Sequence, residues 1–191
     1  RVDGSEASRQ GRARHAHRRA VTGAGHVVGA ANDAGYVRAR YETETGLAAR
    51  KAVCRDVSGL DACEVAIVAA LELSPSSALE VGCGEGELAE RLTTSLPGPV
   101  VALDQSARMV ELTARRGVEA RVGDVRQLPF PDRCFDVALA AWVLYHVTDL
   151  PRGIAEVARV LRPQGRLVAV TNARDHLQEL FALAGIEHRE L

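Results

Sequence analysis

Residues 78–92 read ALEVGCGEGELAERL: a short apolar run, three glycines at every second position, and then a helix-forming stretch. ALEVG fits a short strand and EGELAERLTTSL a helix, which puts Gly82, Gly84 and Gly86 in the turn between them. Glycines there allow a tight strand-to-helix turn and let a ligand approach the main chain closely. The amino end of the following helix favours a negatively charged ligand group. The dinucleotide fingerprint GxGxxG needs a further glycine at position 87, and Glu87 stands there. Glu80 precedes the first glycine by two positions. A carboxylate at that strand end suits a cationic amine or sulfonium and repels a pyrophosphate, and its pull on a cation should weaken with salt. The plain alternative is a tight turn with a solvated glutamate.

Outward from this turn, strands and helices alternate. PVVALD reads as a strand, SARMVELTARRG as a helix with Ser106 as its cap, and VEARVGD as a strand. FDVALAAWVL reads as the longest apolar strand, DLPRGIAEVARVL as a helix, RPQG as a turn, RLVAVTN as a strand and HLQELFALAG as a last helix. Upstream, DACEVAIVAALEL reads as a helix in which Asp61 and Glu64 have capping-box spacing. YVRARYETETGLAARKAVCRDV reads as a helix broken near Gly46. Strands separated by helices of this length imply parallel pairing with right-handed crossovers, hence an α/β fold with a Rossmann-like, doubly wound, mostly parallel sheet in a three-layer sandwich.

Two more acids follow strands. Asp104 ends the second strand, 18 residues beyond Gly86, where a carboxylate can accept both hydroxyls of a ribose. Its removal should then cost ligand affinity and leave the fold intact. Asp124, in GDVRQLPF, is placed to accept an adenine's exocyclic amine, or else to make an Asx turn. Three acids at three successive strand ends are expected to face one crevice, at the topological switch point of the sheet.

With these residues in view, the chain resembles the class I S-adenosylmethionine-dependent methyltransferases from about Leu79 to Asn172. The resemblance rests on LEVGCGEG, VVALDQS, GDVRQLPFPDRCFDVALAAWVLYHV and LRPQGRLVAV. The DxxxLPFxDxxFD run and VLYHV look like small-molecule methyltransferases related to the quinone-biosynthesis enzymes. The resemblance implies S-adenosyl-L-methionine as cofactor and a small organic acceptor methylated at O, N or C. It implies that Glu80 and the backbone of Gly82, Cys83 and Gly84 hold the methionine part and that Asp104 binds the ribose, with Gln105 beside the adenine. It further implies that Asp124 and the Val125 amide read the adenine edge, and that the Ala140 carbonyl meets the amino group. Such a reaction needs alignment more than acid–base help, and His146 is the candidate base, its plain alternative being a capping or packing histidine. Trp142 and Tyr145 are candidate walls of the acceptor pocket, or core, and Cys83 reads as a small apolar filler.

The chain has 191 residues, 47% hydrophobic and 26% charged, with a net charge of −1, which fits one ordinary globular domain. Four cysteines without a CxxC pair make neither a zinc cluster nor a disulfide framework, so no metal is expected and a reducing cytoplasm is. No apolar run reaches the roughly 20 residues of a membrane span. Residues 1–35 read as a disordered leader. Six arginines against Asp3 and Glu6 make the first 20 residues basic, but no aromatic residue precedes Tyr36 to stack on bases, so nucleic acid is not expected as partner. Residues 36–191 form the expected methyltransferase domain, with helices over 36–73 and a cofactor core over 78–172. The missing initiator methionine suggests a start inside a longer frame. The family's closing strands are not seen after the fifth, so a truncated domain with weak cofactor binding, low stability and little or no methyl transfer is expected. The oligomeric state leaves no mark in the pattern. The rival readings are a nicotinamide-dinucleotide oxidoreductase and a cofactor-binding remnant without turnover.

Overall fold

The computed structural model describes Gly35, residues 61–72 and residues 74–172. The leader, the helical stretch over 36–57 and the last helix HLQELFALAG, as expected from sequence, lie outside these apart from Gly35. In chain order the elements are α1 (Ala62–Leu71), β1 (Ala78–Val81), α2 (Glu87–Ser95), β2 (Val100–Asp104), α3 (Ala107–Arg115), β3 (Glu119–Val122), β4 (Phe135–Ala141), a 3-10 turn (Leu144–His146), α4 (Leu150–Val160) and β5 (Leu161–Val170). The five strands pair in the order β3-β2-β1-β4-β5, every pair parallel. The order reverses beside β1, which is the switch point expected of a doubly wound sheet.

Side-chain parity along the strands builds two cores. Ala78, Val100, Ala102, Val137 and Leu139 face α1 and α2 through Ala66, Ile67, Ala70, Leu88, Ala89 and Leu92. Leu79, Val81, Val101, Leu103, Ala138 and Ala140 face α4 through Val157 and Val160. Burial on both faces explains why these strands read as continuous apolar runs instead of alternating ones.

Three local readings change. The apolar run FDVALAAWVL is strand only to Ala141; Trp142 takes a left-handed φ of +54° and the chain turns into the 3-10 helix. RPQG is no separate turn before a strand. It is an excursion within β5, where residues 162–165 lie opposite the single Asp136 of β4 and Gln164 takes φ +70°. Asp61 caps α1 by accepting from the Cys63 N–H, as expected, but Glu64 pairs with Arg91 of α2 instead of serving a capping box.

Candidate functional site

Parallel pairing puts the ends of β1, β2 and β4 along one carboxyl edge of the sheet. The glycine loop leaves β1 with φ +70°, +54° and +78° at Gly82, Gly84 and Gly86, a region that only glycine adopts freely. Space is also short: a Cβ on Gly82 would stand 2.3 Å from Val143 Cγ2. Trp142's left-handed turn is what carries Val143 over this glycine. The loop's amides are largely spent on β2. The Gly82 and Cys83 N–H groups donate to the Leu103 carbonyl (2.7 and 3.1 Å), and the Gly84 N–H donates to Asp104 Oδ2 (3.0 Å).

Glu80 is not a solvated acid. It is 3% exposed, on the sheet face covered by α1 and α2. The N-cap of α2 is Gly86, which has no side chain to offer, and the Glu80 carboxylate accepts from the Ala89 N–H in its place. The other oxygen, Oε2, is buried without a partner. Burial raises the acid to about 8, against the lowering by the Ala89 N–H, and the nearby Asp104 adds to the rise. A carboxyl group this deep is screened little by salt, so pH is the variable expected to act on it.

Asp104 closes β2 with both oxygens engaged: Oδ1 accepts from the Ser106 N–H at 2.8 Å and Oδ2 from Gly84. Ser106 caps α3, as expected, by accepting from the Met109 N–H. Asp104 thus joins the glycine loop to the start of α3, so its removal touches the fold as well as any ligand. Burial raises its pKa, against the three backbone donors. Gln105 beside it is exposed.

Asp124 lies two residues past β3, and it makes the Asx turn, its Oδ1 accepting from the Arg126 N–H at 2.8 Å. It also carries an ion pair with Arg126 at 2.5 Å, and that hydrogen bond, above all, lowers its pKa. Arg126 reaches on to the Thr148 hydroxyl at 2.7 Å. Glu80 and Asp104 therefore meet around the glycine loop, while Asp124 shares the edge but faces its own arginine. Val125 packs beside Gly153 of α4, and Ala140 is fully buried in β4. Tyr145 and His146 sit in the 3-10 turn with their rings edge to face, centroids 4.4 Å apart. Cys83 is buried with its thiol 3.4 Å from the Thr113 hydroxyl, and burial pushes that thiol far up, which makes it a filler and not a nucleophile. Among the described residues no group of three His, Cys, Asp or Glu side chains could hold a metal ion.

The sequence reading missed Thr113, Arg116, Val143 and Arg126. The first two touch the glycine loop from about thirty residues away, a contact that no local pattern announces.

A protein-family model described as a methyltransferase domain matches residues 79–169. The chain is 32% identical over 102 residues to a demethylmenaquinone methyltransferase of Symbiobacterium thermophilum, covering 48% of this chain and 41% of that protein. It is 39% identical over 97 residues to a 27-O-demethylrifamycin SV methyltransferase of Amycolatopsis mediterranei, covering 47% and 36%. The solved structure of the YcgJ protein from Bacillus subtilis is similar with a TM-score of 0.54 and 27% identity, over 58% of this chain and 50% of that one. The aligned part spans between about a third and a half of the length of the curated relatives. Residues 79–169 thus match the methyltransferase-domain family, within a parallel sheet whose strand order reverses beside β1.

Proposed function

We propose that this chain binds S-adenosylmethionine at the carboxyl edge of its sheet and directs its methyl group to a small organic acceptor. The bare Oε2 of Glu80 carries this reading. A buried carboxyl oxygen without a partner is costly, and a cationic amine arriving beside it would relieve that cost. The residues fit such a ligand. A Cβ at Gly82 would collide with Val143, which closes over the loop, and the spent amides of residues 82–84 offer no cradle to a pyrophosphate. The latter weighs against a nicotinamide dinucleotide.

When bound, S-adenosylmethionine supplies a methyl group already activated on a sulfonium. The chain's own residues then bind and align. Glu80 and the backbone of Gly82, Cys83 and Gly84 hold the amino-acid end, the latter by close approach and carbonyl oxygens. Asp104 accepts from the ribose hydroxyls, using the lone-pair capacity left beside its three backbone donors. Gln105 lies beside the adenine, Asp124 and the Val125 N–H read its edge, and the Ala140 carbonyl accepts from the amino group. Trp142 and Tyr145 wall the acceptor side. His146 takes the proton when the acceptor is an alcohol, an ammonium or a weakly acidic carbon. The partner is a small molecule and not a nucleic acid. Among the described residues no helix is long and apolar enough to cross a membrane, and Cys63, Cys83 and Cys134 are free thiols, which supports a cytoplasmic setting.

Titration calorimetry with S-adenosylhomocysteine tests the cofactor, and transfer of labelled methyl to small phenols, amines and quinols tests the acceptor class. A melting temperature raised by NADH and not by S-adenosylhomocysteine overturns the reading.

A further inference from the structure

The glycine loop is held from two sides, and the second is unexpected. On one side β2 takes its amides. On the other, α3 takes two successive carbonyls: the Thr113 hydroxyl donates to Gly84 O at 3.0 Å, and Arg116 Nε donates to Glu85 O at 2.7 Å. Thr113 is fully buried, one of three buried polar side chains among the described residues. Its Cγ2 and Oγ1 would both stand 2.6 Å from a Cβ on Gly86, so the hydroxyl and the glycine are fitted to each other. Arg116 also pairs with Glu90 of α2 at 2.6 Å, which fixes the guanidinium over the loop. Helical spacing explains the pair: residues three apart share a face, and Met109 and Thr113, four apart, bury the face toward the sheet.

We infer that Thr113, assisted by Arg116, is a positioning residue that sets the peptide planes of Gly84 and Glu85 and so the shape of the glycine loop that receives the cofactor. Gly84 is gripped at both ends, its N–H by Asp104 and its carbonyl by Thr113. Two peptide planes meet at Gly84, one on each side of its Cα; with both held, φ and ψ stay in the left-handed region that the loop requires. Removing the hydroxyl leaves the Gly84 carbonyl only the weak Cys83 thiol donor at 3.8 Å and frees the Gly84–Glu85 plane to rotate. The inference deepens the cofactor reading and rests on it for its ligand, but the loop geometry can be read without one.

The test compares Thr113→Val, which keeps shape and loses the hydroxyl, with Thr113→Ser, which keeps the hydroxyl. Hydrogen exchange at the Gly84 and Gly86 amides is followed in the unliganded chain, and affinity for S-adenosylhomocysteine is followed by calorimetry. Thr113→Val should speed both amides and weaken binding by about tenfold each, while Thr113→Ser stays close to the parent. Arg116→Gln, an exposed change that leaves the core alone, should weaken binding by roughly threefold even if the valine variant folds poorly. Faster exchange with unchanged affinity in Thr113→Val makes the contact structural only and overturns the inference, as does unchanged exchange. A parent chain that binds no S-adenosylhomocysteine sinks the cofactor reading instead, and the exchange data then decide the brace alone.

Discussion

At the amino edge of the sheet Asp136 satisfies both carboxylate oxygens, whereas at the carboxyl edge Glu80 keeps one of its two bare. Asp136 Oδ2 accepts from the Ser76 N–H and hydroxyl at 2.9 and 2.7 Å and from the Ser77 hydroxyl at 3.0 Å, and Oδ1 pairs with Arg162 at 2.7 Å. This cluster ties the approach to β1, the start of β4 and the start of β5 into one knot. Burial alone would raise the Asp136 acid, but the Arg162 guanidinium and the serine donors outweigh it and hold it well below the ordinary carboxylate range. Glu80, with one backbone donor and a neighbouring acid, goes the other way. Both acids sit at strand ends of the same sheet. A polar group closed on its own neighbours is architecture; one closed only in part is waiting for something else.

The sharpest way to break this contrast is Asp104, which stands on the carboxyl edge yet has donors on both oxygens. If it serves a ribose as well as the loop, Asp104→Ala should cost about 2–4 kcal/mol of S-adenosylhomocysteine affinity through lost charge-assisted bonds. Because Gly84 and Ser106 lose their acceptor too, folding stability should fall by about 1–2 kcal/mol, read by urea titration. A stability loss with intact affinity would move Asp104 to the architectural side.

Next in size is Asp136→Ala, expected to lower stability by about 2 kcal/mol as Arg162 and the two serines lose their acceptor, with affinity unchanged. The acid is depressed in the fold, so its contribution is present above its ordinary value of 3.8 and fades as pH falls through the lower folded value. The gap between parent and variant should therefore close in acid. Any effect on cofactor affinity would break the separation of the two edges.

Glu80→Gln should weaken S-adenosylhomocysteine binding by about tenfold, near 1.4 kcal/mol. Its second signature has the opposite sign to that of Asp136. The folded acid is raised from 4.5 to about 8, so the fold binds its proton more tightly than the unfolded chain does. Stability is thus fully present below the ordinary value and declines as pH rises toward 8. The parent's melting temperature should fall between pH 5 and 8.5, and that of Glu80→Gln should stay flatter. Parallel curves would return Glu80 to a plain buried cap.

Much of this edge was legible in the sequence because it is local. The glycine spacing places the turn, the acids mark the strand ends, and Ser106 and Asp61 announce their helices. Contacts between distant segments were not legible. Nothing near Glu80 says that Gly86 leaves α2 uncapped, so the burial of this acid against the Ala89 N–H is visible only in the structure. FDVALAAWVL has one composition throughout, and only the left-handed Trp142 ends its strand. The Thr113 brace joins residues 29 apart, and a threonine in a helix carries no local sign of its partner.

The smallest effect concerns Asp124, where architecture and ligand reading compete for one side chain. Asp124 and Arg126 are each more than a third exposed, so their ion pair is worth at most about 0.5 kcal/mol to the fold. Arg126→Ala should therefore barely move the melting temperature, although it also frees Thr148. The carboxylate has lone pairs beyond those Arg126 uses, and an adenine amine needs only one of them. If Asp124 reads that amine, Asp124→Asn should narrow the preference for S-adenosylhomocysteine over S-inosylhomocysteine, which carries a carbonyl in place of the amine, by roughly threefold to tenfold. Arg126→Ala should preserve or widen the same preference, because the acid then has no rival donor. Competition binding with the two analogues reads both effects, and a preference indifferent to both substitutions would leave Asp124 as the acid of an Asx turn.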